Sequence, residues 1–375
     1  MGWFGATVCE IETRSRQVRV FVLTDSPSPY QVELFNEIAA NGNCALQVGY
    51  LRSRDPRRQW TPPELRHEAI NLDCGGCGMR QAREAARESD LVVFNYYFHS
   101  NATELISKRT AQGGPWCFWG ERPGFRQTAW AAWGGRLVRR WKLAPLHGSS
   151  APIWGIGKFA VDGYLREFGP RRSYFNLPYF SDLKRFKTAG TPGRSARVFL
   201  FSGSLIARKG VDLVARAFVQ LAGEFPDVRL RIAGDGELRQ SLVQTLRPVS
   251  ERVEFLGVKD WDELPELYAS AGVLCVPSRY DGWGLVVPEG LASGLPVIAT
   301  DRMGAALEFV QTGVNGWLIP ANDEKAILQA MREAARIDAN GIERLSFGAR
   351  ESVKEHTLKH GSERFVRFAR QTLGV

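Results

Sequence analysis

The stretch of sequence that decides the fold is Val273-Leu-Cys-Val-Pro-Ser-Arg-Tyr-Asp281-Gly-Trp-Gly-Leu-Val-Val-Pro-Glu289-Gly-Leu-Ala-Ser-Gly-Leu-Pro-Val-Ile-Ala-Thr300. It starts and finishes with a short apolar run. A glycine-rich loop lies between the two runs, followed by a segment that contains Pro288 and ends at Gly294. Proline suits the first turn of a helix and glycine suits its end. The stretch therefore predicts a strand, a loop, a helix and a second strand, the repeating unit of a parallel sheet.

The alternation of strands and helices continues towards both ends of the chain. Short apolar runs predict strands, and apolar residues at helical spacing predict the helices between them. Such an alternation is typical of parallel sheets covered by helices on both faces. The predicted strands are residues 18–23, 46–51, 91–94, 116–119, 153–156, 197–202, 229–233, 253–256, 273–276 and 296–300, and the clearest predicted helices are 80–88, 212–225 and 323–337.

A glycine- and proline-rich segment, Thr188-Ala-Gly-Thr-Pro-Gly193, interrupts this alternation and indicates a hinge. We therefore predict an α/β protein of two Rossmann-like, doubly wound domains that face each other across a cleft. The N-terminal domain is predicted over residues 1–182, the linker over 183–195 and the C-terminal domain over 196–355. Residues 356–375 are expected to form a helix that crosses back to the N-terminal domain.

Composition excludes several classes of protein. The chain has 375 residues, of which 44% are hydrophobic and 24% charged, so it can form real cores and is not expected to be disordered. No apolar run approaches the ~18 residues of a membrane-spanning helix. The N-terminus lacks the pattern of a secretory signal, and six cysteines in so long a chain do not make a disulfide scaffold. We therefore expect a cytoplasmic protein.

The net charge of +9 favours anionic partners, which include phosphates, acidic lipid surfaces and nucleic acids. Charge alone does not choose among these partners. No recognition motif of a known nucleic-acid-binding module is present, so nucleic acid is not an expected partner.

Two cations follow the predicted strand 197–202. The sequence there is Ser202-Gly-Ser-Leu-Ile-Ala-Arg208-Lys209-Gly210, so a loop with Gly203 and Ser204 leads to a helix start. Ligands of open α/β sheets lie at the carboxyl ends of strands, and a helix N-terminus attracts anions. These residues therefore predict a diphosphate site, although two solvated surface cations would give the same sequence.

Two acids follow the predicted strand 273–276. Asp281 lies on the loop that contains Gly282 and Gly284, and Glu289 lies in the first turn of the next helix. Two carboxylates at the carboxyl end of one strand can bind sugar or ribose hydroxyls. Each acid alone would fit an ordinary place in a loop or beside a helix dipole, but the two together favour a binding site.

These motifs together resemble the retaining glycosyltransferases of family 4, which have the two-domain GT-B fold. The family pattern is an acid, seven residues and a glutamate, ahead of a Gly-x-Pro-Val-Ile strand, and Asp281 to Glu289 followed by Gly294-Leu-Pro-Val-Ile298 match it. The loop around Arg208 and Lys209 resembles the diphosphate loop of the family, and Asp25-Ser-Pro-Ser-Pro-Tyr-Gln-Val-Glu-Leu-Phe35 resembles a common start of its members.

The resemblance implies an enzyme that moves a hexosyl-type sugar from a nucleoside-diphosphate sugar to a hydroxyl of an acceptor. The N-terminal domain would bind the acceptor, a saccharide or a lipid-linked glycan intermediate, and the C-terminal domain would bind the donor. No metal or other cofactor is expected. By resemblance, Glu289 would hold the donor ribose, Asp281 the donor sugar, and Arg208 and Lys209 the leaving diphosphate. The expected donor-binding backbone comprises Gly203, Ser204, Gly282, Trp283, Gly284, Leu285 and Val286.

The sequence departs from the family pattern at two places. The first acid is Asp281 rather than the commoner glutamate, which keeps open a second hypothesis, a catalytically inactive module that binds sugar nucleotide or glycan. Many members also carry a histidine after a strand like residues 116–119, where this chain has Glu121. We therefore consider Glu121 and His99 as candidates on the acceptor side.

Two further features of the sequence each have more than one interpretation. Trp130-Ala-Ala-Trp-Gly-Gly-Arg-Leu-Val-Arg-Arg-Trp-Lys142 mixes tryptophans with cations, as in a segment that touches an anionic membrane surface. A basic helix packed into the N-terminal domain would fit equally well. Cys74 and Cys77 form a single Cys-x-x-Cys in a glycine-rich stretch, which favours a structural or incidental role over a metal or redox site.

Overall fold

The computed structural model describes residues 17–54, 63–74, 76–95, 99–122, 140–141, 143–187 and 195–375. The described residues form two parallel sheets, each with helices packed against it.

The first sheet has seven strands in the order β3-β2-β1-β4-β5-β6-β7, and every pairing in it is parallel. This order places β1 beside both β2 and β4, as in a doubly wound fold. The strands are β1 Val18–Thr24, β2 Cys44–Tyr50, β3 Glu68–Asn71, β4 Leu91–Phe94, β5 Trp116–Gly120, β6 Ile153–Gly155 and β7 Tyr174–Asn176. The helices between them are α1 Pro29–Ala40, α2 Gly76–Glu88, α3 Ser100–Ala111, α4 Ala144–His147 and α5 Lys158–Phe168.

The second sheet has six strands in the order β10-β9-β8-β11-β12-β13, again all parallel. Its strands are β8 Val198–Ser202, β9 Arg229–Ala233, β10 Val253–Gly257, β11 Val273–Val276, β12 Val297–Thr300 and β13 Gly316–Ile319. The remaining helices are α6 Val211–Glu224, α7 Arg239–Leu246, α8 Leu264–Ala269, α9 Val286–Ala292, α10 Gly304–Phe309, α11 Glu324–Ala335, α12 Ala339–Ser352 and α13 Leu358–Leu373.

The predicted fold class is confirmed: the chain has two Rossmann-like domains with parallel sheets. Three strands are not among those predicted from the sequence: Glu68–Asn71, Tyr174–Asn176 and Gly316–Ile319. All three lie at sheet edges, where a strand needs fewer apolar residues than a central strand does. The apolar pattern that marks β1 or β11 is weak in Glu68–Asn71 and Tyr174–Asn176, whereas Gly316–Ile319 carries an apolar run that the prediction overlooked.

The last helix, α13, lies on the N-terminal domain. The Trp154 ring on β6 meets the Phe365 ring at 5.3 Å between centroids, and its Nε1 donates to Thr372 Oγ1 at 3.2 Å. Asn41, directly after α1, donates to Ser362 Oγ at 2.9 Å. The helix α13 is thus packed against β6 and the end of α1 in the N-terminal domain.

A short 3-10 helix at Leu183–Phe186 begins the predicted linker. Leu183 and Phe186 are buried, and the Asp182 side chain accepts a hydrogen bond from the amide of Lys184 at 3.0 Å. This part of the linker is therefore packed against the domains. Residues 188–194 of the predicted linker lie outside the described residues.

Cys74 ends a short 3-10 helix, Cys77 lies in α2, and both are exposed free thiols. Within the described ranges, no group of His, Cys, Asp or Glu side chains is placed to hold a metal ion. A search of the same residues also finds no helix with the length and apolar character to span a bilayer. The predicted membrane contact falls on residues 130–142, of which only 140 and 141 are described.

Gly210 fixes the approach of the two loops that follow β8 and β11. Its φ is +74°, and a Cβ there would overlap with the carbonyl oxygen of Pro277. We expect Gly210→Ala to lower the free energy of unfolding by about 1–3 kcal/mol, measured by urea denaturation. Gly42→Ala is the matched control, because Gly42 has a φ of +64° with no heavy atom near its Cβ position. Equal losses in the two variants would contradict the steric argument.

Candidate functional site

The candidate site lies at the carboxyl ends of β8 and β11. These strands are neighbours in the second sheet, and the strand order reverses between them. In open α/β sheets ligands bind at this type of reversal, because the loops after the two strands diverge and leave a crevice. The sheet therefore brings together the two loops that the sequence analysis selected, residues 203–210 and 277–285.

Two predicted residues form an ion pair across these loops. Lys209 Nζ donates to Asp281 Oδ2 at 2.5 Å, and Arg208 Nη1 lies 3.9 Å from the same oxygen. The Lys209 side chain is 20% exposed and the Asp281 side chain 12%, so the pair is partly shielded from water. Arg208 also donates to the carbonyl of Tyr280 at 3.0 Å. One acid and two cations thus face each other at the carboxyl ends of β8 and β11.

A second, purely structural ion pair fixes the position of this charge cluster. Arg279 donates from Nη1 and Nη2 to the two carboxylate oxygens of Asp212, both at 2.7 Å, and its amide donates to the carbonyl of Arg208 at 2.8 Å. Burial alone would raise the pKa of Asp212, but the hydrogen bonds and charge of Arg279 lower that pKa overall. This pair is not predicted from the sequence, because no local pattern links two residues so far apart along the chain.

The loop after β8 rests on the turn that follows β9. The amide of Gly203 donates to the carbonyl of Ala233 at 3.0 Å, and a Cβ at Gly234 would overlap with the carbonyl of Gly203. Leu205 is buried beneath the loop while Ser204 is exposed above it. The loop is therefore held from below and leaves its upper side open.

Glu289 lies in the first turn of α9 and is only 4% exposed. The Tyr268 hydroxyl donates to its Oε2 at 3.2 Å. Burial raises the pKa of Glu289 to about 7, although the hydrogen bond from Tyr268 and the charge of Arg185 lower it. A buried carboxyl that titrates near neutral pH at a strand end is a candidate binding or catalytic group.

The loop between the two acids presents its backbone rather than its largest side chain. The Trp283 ring is 1% exposed and packs against Phe309 at 5.8 Å between centroids. Gly284 has a φ of +89°, and α9 begins two residues later at Val286. Leu285 and Val286 are half-buried and lie at the start of α9. The backbone amides at the start of a helix have no acceptor within the helix.

The opposite wall of the site comes from the N-terminal domain. Glu121 follows β5, and its carboxylate lies so close to Gly282 that a Cβ on this glycine would overlap with it. Tyr164 donates to the carbonyl of Glu121 at 2.7 Å, and Tyr280 from the other domain donates to the carbonyl of Arg122 at 2.6 Å. The structure therefore places Glu121 against the loop that joins the two acids.

His99 has a different environment from Glu121. It precedes α3, and its Nδ1 accepts a hydrogen bond from the amide of Asn101 at 3.2 Å. This is the position of a helix N-cap, which accounts for a polar side chain there. A role of His99 on the acceptor side stays a prediction.

Comparisons with known proteins concern the family and the fold of the chain. Residues 185–350 match the family model described as glycosyl transferases group 1. The chain is 31% identical, over 186 residues, to an uncharacterized glycosyltransferase of Methanocaldococcus jannaschii, with 48% of this chain and 44% of that protein covered. It is 28% identical, over 196 residues, to the GDP-mannose-dependent monoacylated alpha-(1-6)-phosphatidylinositol monomannoside mannosyltransferase of Corynebacterium glutamicum, with 48% and 51% covered. The chain spans about half the length of the curated relatives it matches.

The likeness to solved structures covers both domains. HepE of Anabaena, solved in complex with UDP and glucose, superimposes with a TM-score of 0.71 at 16% identity, over 95% of this chain and 100% of that one. At so low an identity the likeness concerns the fold alone. Residues 185–350 of this chain thus form a domain that matches the group 1 glycosyl transferases, and the two domains together have the fold of a solved glycosyltransferase-like structure, HepE.

Proposed function

We propose that this chain is a retaining glycosyltransferase, which moves a hexosyl-type sugar from a nucleoside-diphosphate sugar to a hydroxyl of an acceptor. The observation that carries the proposal is the cluster of Lys209, Arg208 and Asp281 at the reversal of strand order. Two cations beside one acid leave a surplus of positive charge where a diphosphate would lie. Buried Glu289 and the loop at Gly282 flank this charge.

Charge dictates the expected roles in the reaction. Cleavage of the bond between the anomeric carbon and the phosphate builds positive charge on the sugar and negative charge on the leaving diphosphate. Preorganised cations and amides that stabilise the leaving group often contribute more to such catalysis than any other effect. Lys209 and Arg208 would supply that charge, and Asp281 would hold the sugar while it keeps Lys209 in place.

The retaining outcome requires the acceptor hydroxyl to attack from the side of the leaving group. In this scheme a phosphate oxygen of the leaving diphosphate takes the proton of that hydroxyl, so the protein supplies no nucleophile. Glu121 lies across from Gly282 and would orient the sugar or the acceptor. Closure of the two domains around the donor would exclude water, which otherwise hydrolyses it.

We further propose that the reaction needs no metal ion, because the two cations can neutralise the diphosphate. The acceptor is proposed to be a saccharide or a lipid-linked glycan intermediate. The Corynebacterium glutamicum relative is named for GDP-mannose and HepE was solved with UDP, so several nucleotides belong in the first screen.

The test begins with thermal unfolding of the full chain in UDP, GDP, ADP and dTDP, each with and without its sugar. A ligand that binds only the folded state stabilises it by about 2.7 kcal/mol at 100 times its Kd, so one base should raise the melting temperature clearly. With that donor and glycan acceptors, release of the nucleoside diphosphate should continue in EDTA, and NMR of the product should show a retained anomeric configuration.

Three results would count against the proposal. Stabilisation without any diphosphate release would favour the inactive binding module. Loss of turnover in EDTA, restored by a divalent cation, would contradict metal independence. An inverted product would contradict the retaining mechanism.

A further inference from the structure

Tyr268 occupies a place in the site that the sequence motifs do not mark. It is 1% exposed, and its hydroxyl lies 3.2 Å from Glu289 Oε2 and 3.4 Å from Ser202 Oγ. A phenol has a single proton. Because an ionised carboxylate can only accept hydrogen bonds, this proton goes to Glu289, and the Ser202 hydroxyl is free to donate to the phenol oxygen. Tyr268 therefore connects the acid on α9 to the end of β8, where the diphosphate loop starts.

The ring of Tyr268 is held in a fixed orientation. It stacks on Phe186 with 5.6 Å between centroids and 26° between planes. Phe186 is fully buried in the 3-10 helix that begins the linker. Because the ring is buried and stacked in this way, the hydroxyl of Tyr268 has a fixed position. The Glu289 carboxylate keeps this hydrogen bond only in one orientation.

We propose that Tyr268 is a positioning residue for donor binding: its buried hydroxyl fixes one oxygen of Glu289, so that the other oxygen is aimed at the ribose hydroxyls. This inference rests on the proposed function. It adds a residue that acts through Glu289 and does not itself touch the donor.

The charged groups around Glu289 indicate what removal of this hydroxyl would do. Tyr268 and Arg185 lower the pKa of Glu289, whereas burial and the charge of Glu33 raise it. Arg350 on α12 lies beside Gly294, past the other end of α9. Without the hydroxyl of Tyr268 the pKa of Glu289 rises further, so more of the carboxyl is protonated at neutral pH and it accepts fewer ribose hydrogen bonds.

The experiment compares the wild type with Tyr268→Phe by calorimetric titration with UDP and GDP. Each nucleotide is paired with its 2′,3′-dideoxy analogue, which lacks the ribose hydroxyls. For whichever nucleotide the wild type binds, we expect Tyr268→Phe to weaken affinity about tenfold at pH 7, the size of one hydrogen bond to a charged group. The loss should disappear for the dideoxy analogue and should shrink at pH 8.5, where the carboxyl ionises again.

A matched control and a second variant complete the design. Tyr50→Phe also removes a buried hydroxyl, one that bonds His67 in the N-terminal domain, and should leave nucleotide affinity unchanged. Ser202→Ala, which removes a partner of the Tyr268 oxygen, should give a smaller loss with the same dependence on the ribose. It keeps the inference testable if Tyr268→Phe does not fold.

The outcomes separate the inference from the function on which it rests. If the wild type binds no nucleoside diphosphate, the proposed function fails. If it binds one and Tyr268→Phe weakens the natural and dideoxy nucleotides equally, or weakens neither, the positioning role of Tyr268 is overturned. In the background of Glu289→Gln, Tyr268→Phe should add little to the loss, since both changes act on one interaction.

Discussion

Lys209→Ala should remove the stabilisation that nucleoside diphosphates give to this protein and should lower turnover by about 10²–10³-fold, the range seen when one group that stabilises a developing charge is deleted. The substitution has two electrostatic consequences. It deletes the cation expected to meet the diphosphate. It also leaves Asp281 with Arg208 at 3.9 Å as its remaining cationic neighbour in the cluster, so a negative charge now faces an anionic ligand.

Lys325→Ala is the matched control, because Lys325 is an exposed lysine on α11 of the same domain. It removes the same charge from the chain without touching the site. If Lys209→Ala kept the full thermal shift with a nucleoside diphosphate, the diphosphate would have to lie elsewhere, and the assignment of both cations would fall.

Glu289→Gln should weaken the binding of a nucleoside diphosphate by about 10- to 100-fold at pH 8, the cost of exchanging hydrogen bonds of a charged acceptor for those of a neutral amide. In the wild type, affinity should rise with pH through about 7, the raised pKa of this buried carboxyl. The ionised form accepts hydrogen bonds from the ribose hydroxyls, and protonation removes one of these acceptor sites. Glu289→Gln should abolish this rise.

Glu289→Gln, which weakens nucleotide binding, should make the ligand-free protein more stable than the wild type. Burial raises the pKa of Glu289 from its ordinary value of 4.5 to about 7. Between these values the folded state keeps a proton that the unfolded state releases, so the wild type loses stability as pH rises through this window. Glu289→Gln does not lose stability in this way. Its melting temperature should therefore exceed that of the wild type by more at pH 8 than at pH 5. An equal advantage at both values would contradict the assignment of a neutral pKa to Glu289.

The central strands could be predicted from the sequence because each one carries its own signal. Val273–Val276 and Leu91–Phe94 are buried on both faces of their sheets, so they are continuous apolar runs in the sequence. The edge strand Tyr174–Asn176 is only half-buried, and no comparable run marks it.

The candidate site could be predicted in part for a related reason. Asp281 and Glu289 belong to one loop and one helix, and Arg208 and Lys209 belong to another loop, so local spacing places each group at the end of its own strand. That Lys209 pairs with Asp281, and Arg279 with Asp212, depends on which strands are neighbours. Local sequence carries no information on strand order.

The sequence by itself determined the repeating α/β pattern, the strand ends that carry acids and cations, and the resemblance of residues 185–350 to the group 1 glycosyl transferases. The tertiary structure alone decided that Glu289 is buried under the Tyr268 hydroxyl and that Glu121 reaches Gly282 from the other domain. The physical reason is range: hydrophobic periodicity acts over a few residues along the chain, whereas burial, pairing of charges and the pKa of a carboxyl depend on groups that only the packed domains bring together.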